Sequence, residues 1–312
     1  MLKGGRSLER SVSLRSAAQV QDALARLGHE VIAVDAGTQL VPELLARAPD
    51  VAFLALHGRE GEDGTLQGLL EAIGLPYTGS SPVACMRATD KLMAKLLMRE
   101  AGIPTPAFHA LREESIKQLD AGAALPRIEE DLGLPLVVKP ARGGSALGVK
   151  FARTAQELPA ALVGAFSYYD TVLLERYVRG RDLAVSVLGG SSATERARAL
   201  PIVEAVPREE DFYDYESRYE IGMTTFVCPA QLPAQTTARA QELALETYEL
   251  LGCHGVARID LLLDSDGEQL WVLEANVVPG MTETSLLPQA ADAAGISFDA
   301  LVAEILASAF TR

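Results

Sequence analysis

Cysteine is scarce in this chain. Cys85, Cys228 and Cys253 are the only three among 312 residues. They are odd in number and far apart, so they fit neither a zinc motif nor a disulfide framework. Reduced thiols, as in a cytoplasmic protein, are the expectation. Long hydrophobic runs are missing as well. No stretch approaches the 18 or so uninterrupted apolar residues of a membrane-crossing helix. The opening "MLKGGRSLER" lacks the apolar h-region of a secretory signal. Basic residues are outnumbered, 28 Lys and Arg against 42 Asp and Glu, for a net charge of −14. That balance argues against coating nucleic acid. It says little about a small anion, which responds to the local field. Internal repeats and low-complexity tracts are absent. What remains is 48% hydrophobic and 22% charged residues, ordinary for a globular protein with a real core. The length suggests two or three domains.

The first 80 residues alternate between strand and helix signals. Ser13 is placed to cap a helix with apolar positions Val20, Leu24 and Leu27 and a stop at Gly28. "EVIAVD" (30–35) reads as a strand, and "PELLARA" (42–48) as a helix with Pro in its first turn. "VAFLAL" (51–56) reads as a strand without alternation, expected when both faces are covered. "GTLQGLLEAIGL" (64–75) is helical. This order implies a parallel, Rossmann-like sheet, but without the G-x-G-x-x-G fingerprint of a dinucleotide site. A helix follows over 90–102, with Leu92, Met93, Leu96 and Leu97 expected on its apolar face. From about Pro135 shorter β segments take over. Later come a polar stretch (208–220), a helix (234–251), two strands and two closing helices.

Several segments place chemistry-bearing residues where strands end. In "GVARIDLLLD" and "QLWVLEAN", period-two alternation puts Arg258 and Asp260 on one face, and Glu274 and Asn276 likewise. The intervening "DSDGEQ" is a turn signal. A hairpin closing around Gly267 sets Asp260 opposite Glu274 and Arg258 opposite Asn276. Two carboxylates so close repel unless paired, and Mg²⁺ suits a few such oxygens completed by water and phosphates. A solvent-facing polar edge is the plainer alternative. "VVKPARGGSALGV" (137–149) delivers Lys139 from an apolar strand into a glycine loop able to cradle phosphate. It is not a Walker loop, and a plain glycine-rich hairpin remains open. "LLERYVRGRD" (173–182) carries Glu175 and Asp182, placed to bond an adenine amino group and a ribose unless Glu175 is simply solvated. "HGREGEDGTLQG" (57–68) puts His57 at the C-terminal end of a parallel strand, where such sheets bind ligands, although a lone His is as often structural. "KGGRSLERSVS" forms another loop at a strand end and holds Glu9.

Together these segments resemble the D-alanine–D-alanine ligases of the ATP-grasp superfamily. The resemblance rests on "GGRSLERSVSLRS", "HGREGEDGTLQGLLE", "DK" at 90–91, "VVKPARGGSALGV", "DFYDYESRY" (211–219), "GVARIDLLLD" and "LEANVVPGMTETSLLP", in that order over nearly the whole chain. It implies an α/β protein with an N-terminal Rossmann-like parallel sheet domain (1–85). A two-lobed ATP-grasp fold of α+β type follows (86–182 and 183–312). By the same resemblance Lys91 and Lys139 hold the ATP phosphates. Glu175, Tyr177 and Val178 contact adenine, and Asp182 the ribose. Ser145 and Arg218 also lie at the nucleotide. Asp260, Glu274 and Asn276 ligate Mg²⁺, with two ions expected and Mn²⁺ able to substitute. Arg258 and the backbone of Gly280 stabilise the oxyanion. Glu9, Ser145 and Tyr219 form a hydrogen-bonded trio near the first D-alanine, with His57 close by. Ser285 and Leu286 contact the second D-alanine.

The implied reaction makes D-alanyl-D-alanine for peptidoglycan precursors through an acyl phosphate, in a cytoplasmic homodimer whose partners are ATP and D-alanine rather than nucleic acid or membrane. "DFYDYESRY" is expected to close over the site and exclude water. The rivals are a second substrate such as D-serine, D-lactate or another amino acid, and a catalytically silent nucleotide-binding homologue. Two positions depart from the family pattern: Arg218 stands where Lys is usual, which matters because Arg sits differently on phosphate, and Val277 follows Asn276 where a small polar residue is common. Only Met1-Leu2-Lys3 precede the Gly-Gly loop where the family has a full apolar strand. The expectation is therefore a natural start a few residues upstream.

Overall fold

The computed structural model describes residues 1–190, 195–207 and 224–311. Its N-terminal part is a parallel arrangement. Strand β1 (Leu2–Lys3) pairs in parallel with β2 (Val34–Asp35). Parallel bridges continue from Leu2 to Leu54 and from Ala52 to Tyr77. Alternation along 51–56 explains its unbroken apolarity. Ala52, Leu54 and Leu56 pack with Leu2, Val34 and the buried leucines of helices over 40–47 and 65–72. Phe53 and Ala55 face the opposite way. Helix α1 (Arg10–Arg26) covers that second face with Ala17, Val20, Ala23 and Leu24. The expected strand over 30–35 shrinks to Val34–Asp35, because a ladder cannot outrun its two-residue partner β1.

Helices α2 (Leu40–Arg47), α3 (Thr65–Ala72), α4 (Pro82–Thr89) and α5 (Lys91–Glu100) follow. Two corrections belong here. Helix α1 starts at Arg10 with Glu9 at its N-cap position, so Ser13 is no cap. The Ser13 hydroxyl accepts from the Gly4 N–H at 2.8 Å and donates to the Ala55 carbonyl at 2.5 Å. Leu27, expected on the apolar face, is 39% exposed. Helix α5 buries Ala94, Lys95 and Met98, while Met93 is exposed. Its inward face is therefore rotated from the predicted stripe.

An antiparallel sheet of order β3-β6-β4-β5 comes next, from Phe108–Arg112, Thr171–Arg176, Leu136–Pro140 and Lys150–Ala152. Helices α6 (Glu113–Leu119), α7 (Leu125–Leu132) and α8 (Leu158–Phe166) accompany it. The latter two pack their leucines and alanines on one face of the sheet. A larger sheet has the order β10-β9-β7-β11-β12, with β8 (Arg198–Ala199) also on β7. Here β7 is Gly180–Leu188, β9 Val203–Pro207, β10 Thr224–Val227, β11 Val256–Asp264 and β12 Leu270–Asn276. Helix α9 (Ala234–Leu251) packs on one face with α4 and α5. Helices α10 (Leu286–Ala293) and α11 (Phe298–Ser308) pack on the other, against α1. Each fully buried leucine in these layers contributes about 1.5–3 kcal/mol. Among the described residues no helix is long and apolar enough to cross a membrane.

Candidate active site

The β11-β12 hairpin has the register its sequence suggests. Asp260 stands opposite Glu274 and Arg258 opposite Asn276, with an irregularity just after Asp260. The turn contains Gly267 at φ +74°, in the left-handed region that favours glycine. Arg258 donates to both Asp260 oxygens, from Nε at 2.7 Å and from Nη2 at 2.8 Å. Asn276 Nδ2 adds a third bond to Asp260 at 3.1 Å. Glu274 is 3.1 Å from the Lys91 ammonium. Each carboxylate of the pair therefore faces a cation, which offsets the repulsion between them. Among the described residues no three His, Cys, Asp or Glu side chains are grouped so as to hold a metal ion by themselves. The donor set here is two carboxylates and an amide oxygen.

Lys91 and Lys139 converge from different elements. Asp90 caps α5 by accepting from the Met93 N–H. It also receives Arg142, and the Lys91 N–H donates to the Ala141 carbonyl at 2.8 Å. The start of α5 is thereby fixed to the loop after β4. Lys91 donates onward to the Gly143 carbonyl at 2.7 Å. Lys139 leaves the end of β4 and donates to Glu175 of β6 at 2.9 Å. These groups border a cavity of about 410 Å³ between the two antiparallel sheets, whose wall also includes Tyr177, Val178, Asp182, Leu262, Leu273 and Glu274. The Tyr177 ring meets Phe151 edge-on, centroids 5.9 Å apart. The result is a slot with Tyr177, Val178, Leu262 and Leu273 on its wall, the buried Glu175–Lys139 pair together, and Lys91 beside Glu274.

A second cleft, about 60 Å³, adjoins the first. Gly144 lines both. Its wall includes Glu9, His57, Glu62, Ser145, Arg258, Asn276, Gly280, Ser285 and Leu286. Ser145 donates to Glu9. A Cβ on Gly144 would lie 2.9 Å from a Glu9 oxygen, so glycine is needed for the loop to approach that carboxylate. His57 is buried and joins three loops. Its Nε2 is 3.1 Å from Ser16 Oγ, its Nδ1 is 3.1 Å from the Val278 carbonyl, and its own carbonyl accepts from Ser7. Ser16 also accepts from the Met281 N–H. Ser285 accepts from the Thr282 N–H at 2.9 Å, and Leu286 is 6% exposed. Burial, joined by the nearby Glu62 carboxylate, pushes Glu9 above the usual carboxylate range, against the opposing pull of Ser145 and Lys91.

Sixteen of the eighteen residues singled out in the sequence therefore border one of the two clefts or lie in the hairpin between them. Arg218, Tyr219 and the expected closing segment 208–220 lie outside the described residues. Sequence reasoning missed Glu62 and Lys95. Glu62 lies within "HGREGEDG", where a carboxylate five residues after His57 is the available signal. Lys95 gave no signal, since a lysine four residues after Lys91 reads as solvent-facing.

A slot between two antiparallel lobes, with two lysines on its wall and a polar hairpin leading to a second pocket, defines an ATP-grasp enzyme. Comparison with known proteins narrows this. The family profile described as "D-ala D-ala ligase C-terminus" matches residues 97–307, and its N-terminus counterpart matches 37–80. A D-alanine–D-alanine ligase from Syntrophotalea carbinolica is 45% identical over 100% of this chain and 96% of its own length. One from Moorella thermoacetica is 43% identical over 98% and 97%. The Bacillus anthracis ligase crystal structure superposes with a TM-score of 0.82 at 33% identity, covering 99% of this chain and 95% of that one. The same enzyme complexed with ATP gives 0.81 at 32% identity over the same shares. The chain belongs to the D-alanine–D-alanine ligase family.

Proposed function

We propose that this protein joins two D-alanine molecules at the expense of ATP, forming D-alanyl-D-alanine, ADP and phosphate for peptidoglycan precursors. The observation that carries the reading is the shared border of the two clefts. A nucleotide in the larger slot, phosphates towards Lys91 and Lys139, meets the smaller pocket at Gly144 and the Arg258–Asn276 pair. Tyr177 and Val178 flank the base, Glu175 accepts from its amino group, and Asp182 takes the ribose.

The first D-alanine lies near Glu9, Ser145 and His57. Its carboxylate oxygen attacks the γ-phosphorus, and ADP departs with the electrons of the broken P–O bond. The second D-alanine is held by Ser285 and Leu286. Its free amine attacks the acyl carbonyl, giving a tetrahedral oxyanion, and phosphate leaves with the electrons of the broken C–O bond and the proton that the nitrogen gives up as the amide forms. Arg258 and the Gly280 N–H are the donors for that oxyanion. No protein nucleophile is required, since positioning and preorganised charge supply the rate. Asp260, Glu274 and Asn276 are the residues that would hold Mg²⁺, with Mn²⁺ as a substitute. Two carboxylates and an amide, partly buried and offset by Arg258 and Lys91, fit a hard cation. When bound, the metal neutralises charge on the transferring phosphates. The family reading also brings a cytoplasmic homodimer, which sedimentation tests.

The deciding experiment is phosphate release from ATP with and without D-alanine, with the dipeptide identified by mass. D-alanine-dependent release with one dipeptide per phosphate is expected. Release that ignores D-alanine, or none, overturns the reaction. A faster turnover with D-alanine plus D-serine or D-lactate, yielding the mixed product, overturns the second substrate alone.

A further inference from the structure

One charged side chain beside the nucleotide cavity is used by neither the motifs nor the proposed chemistry. Lys95, one helical turn past Lys91, has no solvent exposure. Its ammonium lies 2.5 Å from Glu175 Oε2 and donates to Thr105 Oγ1 at 2.5 Å. It also sits 5.1 Å from the centre of the Phe108 ring. Glu175, 3% exposed, is held at its other oxygen by Lys139 at 2.9 Å. Each Glu175 oxygen therefore faces one ammonium, Oε1 that of Lys139 and Oε2 that of Lys95. Glu175 borders the cavity, while Lys95 stands behind it.

Burying a lysine here is costly, and an apolar side chain would pack at less expense. Burial draws the Lys95 ammonium down to about 8, with Glu175 pulling the other way. Burial alone would raise Glu175, but Lys139 and Lys95 outweigh it and carry the carboxyl below its usual range. Both partners are therefore charged at neutral pH. An ionised carboxylate only accepts hydrogen bonds, whereas a protonated one can also donate.

We propose that Lys95 is a positioning residue for nucleotide choice: by its contact with Glu175 Oε2 it keeps that carboxylate fixed as an acceptor facing the base, so the cavity admits a 6-aminopurine triphosphate and rejects a 6-oxopurine. The inference rests on the ATP reading above and adds to it the residue that enforces the choice of base. An ionised carboxylate has about four acceptor sites, so with one lysine on each oxygen it can still accept the N–H of a 6-amino group. A 6-oxo group presents a second acceptor, and two acceptors set against each other repel. Without Lys95, Glu175 keeps one cation instead of two, is freer to turn, and takes up a proton more readily. It can then donate to a 6-oxo group.

The test uses the full chain and compares ATP with inosine triphosphate in D-alanine-dependent phosphate release. The variants are Lys95→Met, Glu175→Gln and the double variant. Lys95→Met is expected to reduce the ATP-to-inosine-triphosphate ratio of kcat/KM by about tenfold or more, the scale of a hydrogen bond to a charged group. The change should fall mainly on the nucleotide KM, with the KM for D-alanine unmoved. In the Glu175→Gln background, Lys95→Met should have little further effect on the ratio, because the two act as a unit. A ratio within about twofold of wild type, whatever happens to kcat, would make Lys95 a structural tie between α5 and β6 and overturn the proposal. So would effects on the ratio that simply multiply. If Lys95→Met does not fold, Lys95→Gln, which keeps a donor but no charge, carries the same comparison. If wild type turns over neither nucleotide, the reaction above falls. The two triphosphates are then compared by calorimetric binding, where Lys95→Met must still narrow the preference.

Discussion

Replacing Asp260 with Asn removes one charge from the most heavily bonded carboxylate in the hairpin. Asp260 accepts twice from Arg258 and once from Asn276, and the side chains of Asp260 and Arg258 are 11% and 14% exposed. Breaking a buried ion pair by removing one partner costs about 3–5 kcal/mol. Asparagine keeps one acceptor oxygen, and the pair is not fully dry, so about 2–3 kcal/mol of stability should be lost. The amide NH₂ also points a donor at the guanidinium, so Arg258 loses its bidentate seat. Loss of one oxyanion donor typically costs about 10²–10³ in kcat. With the proposed metal ligand gone as well, turnover should fall by about 10³ or more. ADP formation in the presence of D-alanine measures the rate. Denaturant unfolding followed by fluorescence measures stability, and the single tryptophan, Trp271, lies in β12 of the same hairpin. Turnover within about tenfold of wild type would refute both the oxyanion and the metal roles assigned here.

Two further outcomes follow from the smaller cleft. A Cβ on Gly280 would lie 2.6 Å from Ser285 Oγ, so Gly280→Ala should push that hydroxyl off the Thr282 N–H. The KM for D-alanine should then rise about fivefold, the worth of one hydrogen bond, with the KM for ATP unchanged; a rise in the ATP KM instead would detach Ser285 from the D-alanine pocket. Glu62→Gln removes a negative neighbour that helps raise Glu9. If Glu9 acts as an ionised acceptor, activity falls on the acid side as it protonates. The acid limb of kcat/KM for D-alanine should therefore move to lower pH in the variant, and an unmoved or raised limb would show that Glu62 does not govern it.

The hairpin was legible because its two constraints are local. Period-two alternation fixes the faces, and a turn centred on Gly267 fixes the register, so the sequence by itself sets Asp260 against Glu274. Helix α9 was equally plain, bounded by Pro233 and Gly252. Ser13 and α5 failed for the opposite reason. The partners of Ser13 are Gly4, nine residues before it, and Ala55, 42 residues after it. A cap signal sees only the next turn. Lys95 is separated from Glu175 by 80 residues of chain, and its burial exists only because β6 brings a carboxylate beneath α5. Hydrophobic periodicity places every lysine outside, and is right wherever a charge has no partner. An inward lysine therefore marks a position where packing alone would have chosen otherwise. If Lys95 served only to tie α5 to β6, an apolar pair at 95 and 175 would do so at less cost. The charge at Glu175 is needed by something else, and the nucleotide slot is the one cavity it borders among those described.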